Sequence, residues 1–163
     1  MPRSFALAAS GAVCPTEHPG GGYAAGMERA GERSLLSDPV TIGVLVYAVY
    51  QVALGLVMTF AAGWFFRNVG PFEVRNDHYT RDNATMSLAF GAAGLIALRR
   101  PGWRLPVLAV FTLQAGLHAI NHLYDINRAH PKRDGPIDFV LLALSAVVLG
   151  WLTWRAARDE RAP

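Results

Sequence analysis

Residues 105–125, LPVLAVFTLQAGLHAINHLYD, form an apolar segment of membrane-spanning length that ends in histidine and aspartate. His118, His122 and Asp125 stand at i, i+4 and i+7, so a helix places their side chains on one face, beside Asn121. Ionisable groups at membrane depth are costly, and they usually line a bundle interior or a wet cavity. The segment therefore predicts a membrane helix with a functional site near its end.

Three further apolar runs surround this segment in a chain of 163 residues, of which 52% are hydrophobic and 17% charged. The pattern predicts an all-α fold of four transmembrane helices, at about 40–66, 82–98, 105–127 and 137–156. Asp38 and Pro39 supply an N-cap and a first-turn proline for the first helix. We expect a disordered N-terminal leader over 1–38, a membrane domain over 39–157 and a short polar tail over 158–163.

Charge and cysteine content narrow the class of protein. The net charge is +3, but the arginines cluster at the ends of the apolar runs and no nucleic-acid-binding module is visible. The predicted partner is therefore the lipid bilayer and not a nucleic acid, with a homo-oligomer or a partner membrane subunit left open. Cys14 is the only cysteine, which excludes an intramolecular disulfide or a multi-thiolate zinc site.

The loop between the second and third predicted helices indicates the orientation. It carries Arg99, Arg100 and Arg104 and no acidic residue, and loops rich in arginine tend to stay in the cytoplasm. We therefore expect a multi-pass cell-membrane protein with both termini cytoplasmic.

A second polar motif precedes the second predicted helix. His78 and Asp82 are one helical turn apart, with Arg81 beside them. In a protein with four alternating spans, this motif and the end of the third helix lie at the same membrane face, which is extracytoplasmic in this orientation. The sequence predicts one polar cluster there, formed by His78, Arg81, Asp82, His118, Asn121, His122 and Asp125.

Such a cluster could have several chemical roles. A metal ion could be held by His118, His122, His78 and Asp82, or a histidine could ligate haem iron. Without a metal, the same groups could relay protons or bind a polar head group such as a quinone carbonyl. Alternatively, the network only locks the bundle together, with Asp125 meeting Arg128.

Two other sets of residues bear on packing. Gly91 and Gly94 are three residues apart in the second predicted helix, and small residues at this spacing predict a close contact with a neighbouring helix. Tyr47, Tyr50 and Gln51 share a face of the first helix and could face the polar cluster.

The pattern Asn76-x-His78-Tyr79-x-Arg81-Asp82, followed by a small-residue helix and His118-x-x-x-His122-Leu123-x-Asp125, resembles a group of small actinobacterial-type membrane proteins. These are broadly similar to the DoxX-like four-helix superfamily. The resemblance covers about 40–156 and implies a four-helix membrane fold, whereas it implies little about activity because most members have no assigned one.

The leading hypothesis is a structural or accessory membrane protein whose cluster stabilises the bundle or receives a small polar ligand. The alternatives are a metal- or haem-binding membrane redox protein, a quinone-linked oxidoreductase subunit, and a proton-coupled transporter that would need a dimer. The sequence does not decide whether the protein is an enzyme.

Overall fold

The computed structural model describes residues 38–72 and 74–161, so the predicted leader lies outside the described residues. Within those ranges the chain forms helices and no strand, in agreement with the all-α prediction. The helices are α1 (Pro39–Phe60), α2 (Ala62–Asn68), α3 (Asp77–Arg99), α4 (Arg104–Tyr124) and α5 (Asp134–Asp159), with a 3₁₀ turn at Pro101–Trp103.

The start of α1 follows from its cap. The Asp38 carboxylate accepts hydrogen bonds from the Val40 and Thr41 backbone N–H groups at 3.2 and 3.1 Å, and Pro39 occupies the first turn. The helix ends earlier than predicted, because the backbone at Ala61 (φ −136°, ψ 42°) leaves the helical region and α2 begins after it.

Two other boundaries differ from the prediction. Helix α3 begins five residues before the predicted 82, because the Asn76 side chain accepts a hydrogen bond from Tyr79 N–H at 3.0 Å and caps the helix there. Helix α5 runs to Asp159, so the boundary predicted at 157 falls inside a helix.

The four long helices are arranged as two antiparallel pairs. Helix α1 packs on α3 and helix α4 packs on α5, whereas α3 and α4 make few contacts with each other. Thr112 and Thr153 join α4 to α5 through their hydroxyl groups, 2.8 Å apart. The sparse contact between α3 and α4 leaves room for the groove described below.

The hydrophobic core lies in the half of the molecule that contains the start of α1. Its largest fully buried side chains are Phe111, Leu108 and Val44. They pack with small residues and with the end of α5 in one cluster. The opposite half holds the histidines of α4, so the polar site adjoins the core without lying inside it.

The prediction of four transmembrane helices is wrong. Within the described residues only α1 and α5 are long and apolar enough to cross a membrane. Helix α3 carries Asp77, Arg81 and Asp82 in its first two turns, and α4 carries an arginine, two amides and two histidines. These polar groups make both helices less apolar than a membrane span requires.

Membrane association rests on α1 and α5. Only 11% of the most apolar stretch of α5 is buried, so α5 is not the enclosed core helix of a water-soluble fold. Its exposed side chains include Leu141, Leu144, Val147 and Val148. Helix α1 begins and α5 ends at the same end of the molecule, and the membrane side on which that end lies stays a prediction.

Candidate functional site

The two histidines of α4 lie together, as their spacing predicts. The rings of His118 and His122 are 4.7 Å apart between centroids and meet at an interplanar angle of 65°. Residues four apart in a helix lie one turn above each other on the same face. This pair is the centre of the candidate site.

A residue of the loop that follows α2 packs against the ring of His122. Phe72 meets the His122 ring edge-on, with 4.8 Å between ring centroids. Phe72 is held by a β-bridge to Ala129, next to a hydrogen bond from His130 N–H to the Pro71 carbonyl at 3.1 Å. The segments that follow α2 and α4 therefore pack against each other and cover the imidazole.

Asp138 is a member of the site that the sequence analysis missed. It belongs to the second turn of α5, close enough to His122 and Tyr50 for their charges to interact. One carboxylate oxygen of Asp138 and Nδ1 of His122 are buried and have no hydrogen-bond partner among the described residues. The available signal was a carboxylate inside an apolar run, where a charge is costly unless it is compensated.

Asp125 has a local partner. It is the C-cap residue of α4, and its carboxylate lies 3.3 Å from Nε of Arg128. The same carboxylate also interacts electrostatically with His122. The ion pair that the sequence suggested for Asp125 is thus present, at the edge of the site.

The polar residues of α3 do not join this group. His78 Nε2 lies 3.5 Å from Asp82 Oδ2, as the one-turn spacing predicts, but their side chains are 83% and 62% exposed. Arg81 is exposed as well, and its charge acts on Asp77. Across 38–72 and 74–161 no hydrogen bond, ion pair or ring contact links His78 or Asp82 to the α4 histidines.

This separation bears on the predicted metal site. The four proposed ligands form two pairs, His78 with Asp82 and His118 with His122. In the part of the chain that the structure describes, no three His, Cys, Asp or Glu side chains are grouped so that they could hold a metal ion. The four predicted ligands therefore do not come together as one group within the described residues.

Helix α1 contributes polar groups to the same half of the molecule. The Tyr47 hydroxyl donates a hydrogen bond to Oε1 of Gln114 at 2.7 Å, and this bond links α1 to α4. Gln51 is only 2% exposed, and its buried Oε1 has no hydrogen-bond partner within the described ranges. Tyr47 thus contacts α4 through Gln114, which is not one of the seven residues of the predicted cluster.

A groove runs between α3 and α4 beside the histidines. Its volume is about 470 Å³, and it is lined by Met86, Phe90, Val110, Leu113, Gln114, Leu117, His118 and Asn121. All three polar lining residues belong to α4, whereas α3 supplies only apolar side chains. The groove therefore has one apolar wall and one wall with hydrogen-bonding groups.

Both histidines favour the neutral state. Desolvation lowers the pKa of His118 below its ordinary value of 6.5, and the neighbouring His122 lowers it further, although the residue as a whole is exposed at the surface. Desolvation also lowers the pKa of His122, against the opposing effect of Asp138 and Asp125. A neutral imidazole offers one N–H donor and one acceptor nitrogen.

These pKa shifts predict the pH dependence of stability. When the pH falls below 6.5, the histidines of the unfolded chain take up protons before those of the folded chain, so the free energy of unfolding decreases until the lowered folded pKa is reached. We expect the Tm of the detergent-solubilised protein to fall between pH 7.5 and 5.5, and to fall less in His118→Gln. His78→Gln, which alters an exposed histidine, should keep the wild-type fall; equal slopes in wild type and His118→Gln would contradict the prediction.

Comparison with known proteins gives a family and no activity. No curated protein and no solved structure matches the chain significantly. One family model, described as a family of unknown function (DUF6790), matches residues 25–162 and so includes all five helices and the candidate site. The chain therefore belongs to the DUF6790 family.

Proposed function

We propose that the protein is a non-enzymatic membrane accessory protein that receives a small amphipathic ligand in the groove between α3 and α4. The observation that carries this proposal is the composition of the groove, in which an apolar wall faces a row of polar groups. Pockets for small molecules are mostly apolar, with a few placed polar groups, and measure about 300–1,000 Å³. A volume of about 470 Å³ suits a single-ring head group with part of an apolar tail.

The polar wall favours a ligand that accepts hydrogen bonds. Gln114 already accepts a hydrogen bond from Tyr47 through its oxygen, which leaves its amide N–H groups as donors. Asn121 adds a second amide, and His118 adds an imidazole that favours the neutral state. Such a wall complements a carbonyl-bearing ring, for example a quinone, better than it complements an anion or a cation.

The groove is accessible along one side. Several lining residues are also exposed on the outer surface of α4, among them Leu113 and Leu117 at 65% and 66% exposure. The groove is therefore open along its side. An amphipathic ligand could enter from that side, between the helix pairs.

The test is a binding measurement with a short-tailed benzoquinone as the probe, by calorimetric titration of the full chain in detergent. We expect saturable binding to the wild type and about tenfold weaker binding to His118→Leu, because one hydrogen bond contributes roughly 0.5–1.5 kcal/mol. The control His78→Leu changes an exposed histidine outside the groove and should bind as the wild type does. The corresponding cyclohexane without carbonyl groups should bind more weakly than the quinone.

Two results would contradict the proposal. Quinone binding that does not saturate would show only partition into the micelle. Equal affinities in His118→Leu and wild type would place the head group elsewhere.

A further inference from the structure

The C-terminal part of α5 carries a face of aromatic and basic residues, none of which lines the groove. Trp151, Trp154, Arg155 and Arg158 stand at i, i+3, i+4 and i+7 and therefore share one side of the helix. The tryptophans are 47% and 55% exposed. We call these four residues the Trp–Arg face.

Within this face each arginine lies over a tryptophan. The Arg155 guanidinium carbon is 5.9 Å from the ring centroid of Trp151, and that of Arg158 is 4.8 Å from the ring of Trp154. Cation–π contacts of this kind limit the freedom of the guanidinium group while leaving its N–H groups available. Both arginine side chains are exposed, so their donors face outward.

The Trp–Arg face continues an apolar surface along the same helix. Leu144, Val147 and Val148 precede it and are 57%, 69% and 55% exposed. Residues 137–154 extend over about 27 Å at the helical rise, close to the roughly 30 Å of a bilayer's hydrocarbon core. The order of apolar, aromatic and basic side chains matches the order of acyl chains, interface and head groups in a leaflet.

The two ends of the molecule differ in charge, and the end that carries the Trp–Arg face is the more positive. The end with the Trp–Arg face has six arginines (Arg99, Arg100, Arg104, Arg155, Arg158, Arg161) and three acidic residues (Asp38, Asp159, Glu160). The opposite end, taken over 67–82 and 125–138 of the sequence, has six basic and six acidic residues. Only the first end therefore has an excess of positive charge. One of the three acidic residues at the first end, Asp38, is already paired with an arginine, because its carboxylate lies 3.6 Å from Arg104.

We propose that the Trp–Arg face binds the phosphate head group of an anionic phospholipid. Arg155 and Arg158 supply charge-assisted hydrogen bonds to the phosphate, and the two tryptophans lie at the level of the glycerol backbone. An anionic lipid is favoured over a zwitterionic one because the excess positive charge at this end is not compensated by acidic residues. This site is independent of the groove, so either proposal can fail without the other.

The experiment measures quenching of tryptophan fluorescence by lipids with brominated chains, with the full chain reconstituted into phosphatidylcholine vesicles. Trp64→Phe serves as the background, since the remaining three tryptophans, Trp103, Trp151 and Trp154, all lie at this end. We expect brominated phosphatidylglycerol to quench at about tenfold lower mole fraction than brominated phosphatidylcholine. Arg155→Gln with Arg158→Gln should bring the two lipids close to equality.

A matched control and a competitor separate the alternatives. Lys132→Gln with Arg133→Gln removes the same charge from the opposite end and should leave the preference unchanged. Inorganic phosphate at 10 mM should not abolish the preference; if it does, the site binds free phosphate and not lipid. Equal quenching by both lipids in the Trp64→Phe protein overturns the proposal without any requirement on how the arginine variant folds. The same loss of preference in both double variants would overturn it as well.

Discussion

Phe111→Ala is expected to lower the free energy of unfolding by about 3 kcal/mol, the lower end of the range for removing a buried phenylalanine. Phe111 is 1% exposed and is one of the three largest fully buried side chains. The centroid of its ring lies 4.7 Å from the ring centroid of Tyr47 and 6.3 Å from that of Phe90. The truncation would therefore leave a cavity where α1, α3 and α4 meet and remove two aromatic contacts.

The lower end of the range applies because lipid and detergent are themselves apolar. For such a protein the transfer of a side chain from water contributes less, and the lost packing contributes most. The measurement is unfolding in mixed micelles, followed by the helical circular dichroism signal. Leu113→Ala, in the same helix at 65% exposure, should change the free energy of unfolding by less than about 0.5 kcal/mol. Equal losses in the two variants would show that the core is not centred on Phe111.

The sequence predicted the features that depend on local interactions. The start of α1 at Pro39 follows from the Asp38 cap, and the pairing of His118 with His122 follows from helical spacing. The break at Ala61 could not be predicted, because residues around it are apolar on both sides and no proline or glycine directly precedes it. Such a break is set by how the following segment packs.

The predicted meeting of the two polar motifs failed for a reason that the sequence contained. Ala84, Ser87, Gly91 and Gly94 recur every three or four residues and form the buried face of α3. At 100° per residue, His78 and Asp82 lie on the opposite side of that helix. Topology correctly placed both motifs at the same end of the molecule, but rotation about the helix axis decides whether side chains meet, and the small residues determine that rotation.

The number of membrane-spanning helices was overestimated for a related reason. Apolar residues are the majority in α3 and α4, but a few polar and ionisable residues within the helices, for example His118 and Gln114 of α4, make both less apolar than a span requires. Among the described residues, α1 and α5 are therefore the only candidate spans. Asp138 likewise falls within an apolar run of the sequence, although its charge interacts with His122.

The second large effect on stability is expected at Gly91, where α3 lies close to α1. A Cβ atom at Gly91 would lie 2.5 Å from Val52 Cγ2, 3.0 Å from Val52 N and 3.1 Å from the Ala48 carbonyl oxygen. Two of these three atoms belong to the α1 backbone and cannot turn aside, so α1 and α3 would have to separate. We expect Gly91→Ala to lower the free energy of unfolding by about 2 kcal/mol, measured in the same mixed-micelle titration.

Gly116→Ala is the control that isolates packing from helix propensity. A Cβ atom at Gly116, within α4, would meet nothing within 4 Å. Alanine is more favourable than glycine inside a helix by roughly 0.5–1 kcal/mol, so this substitution should raise the free energy of unfolding. The same chemical change is thus expected to have opposite signs in α3 and α4. If Gly91→Ala also stabilised the protein, the two helices would not approach each other closely at this residue, and the rotation of α3 that turns His78 away from the α4 histidines would lose its support.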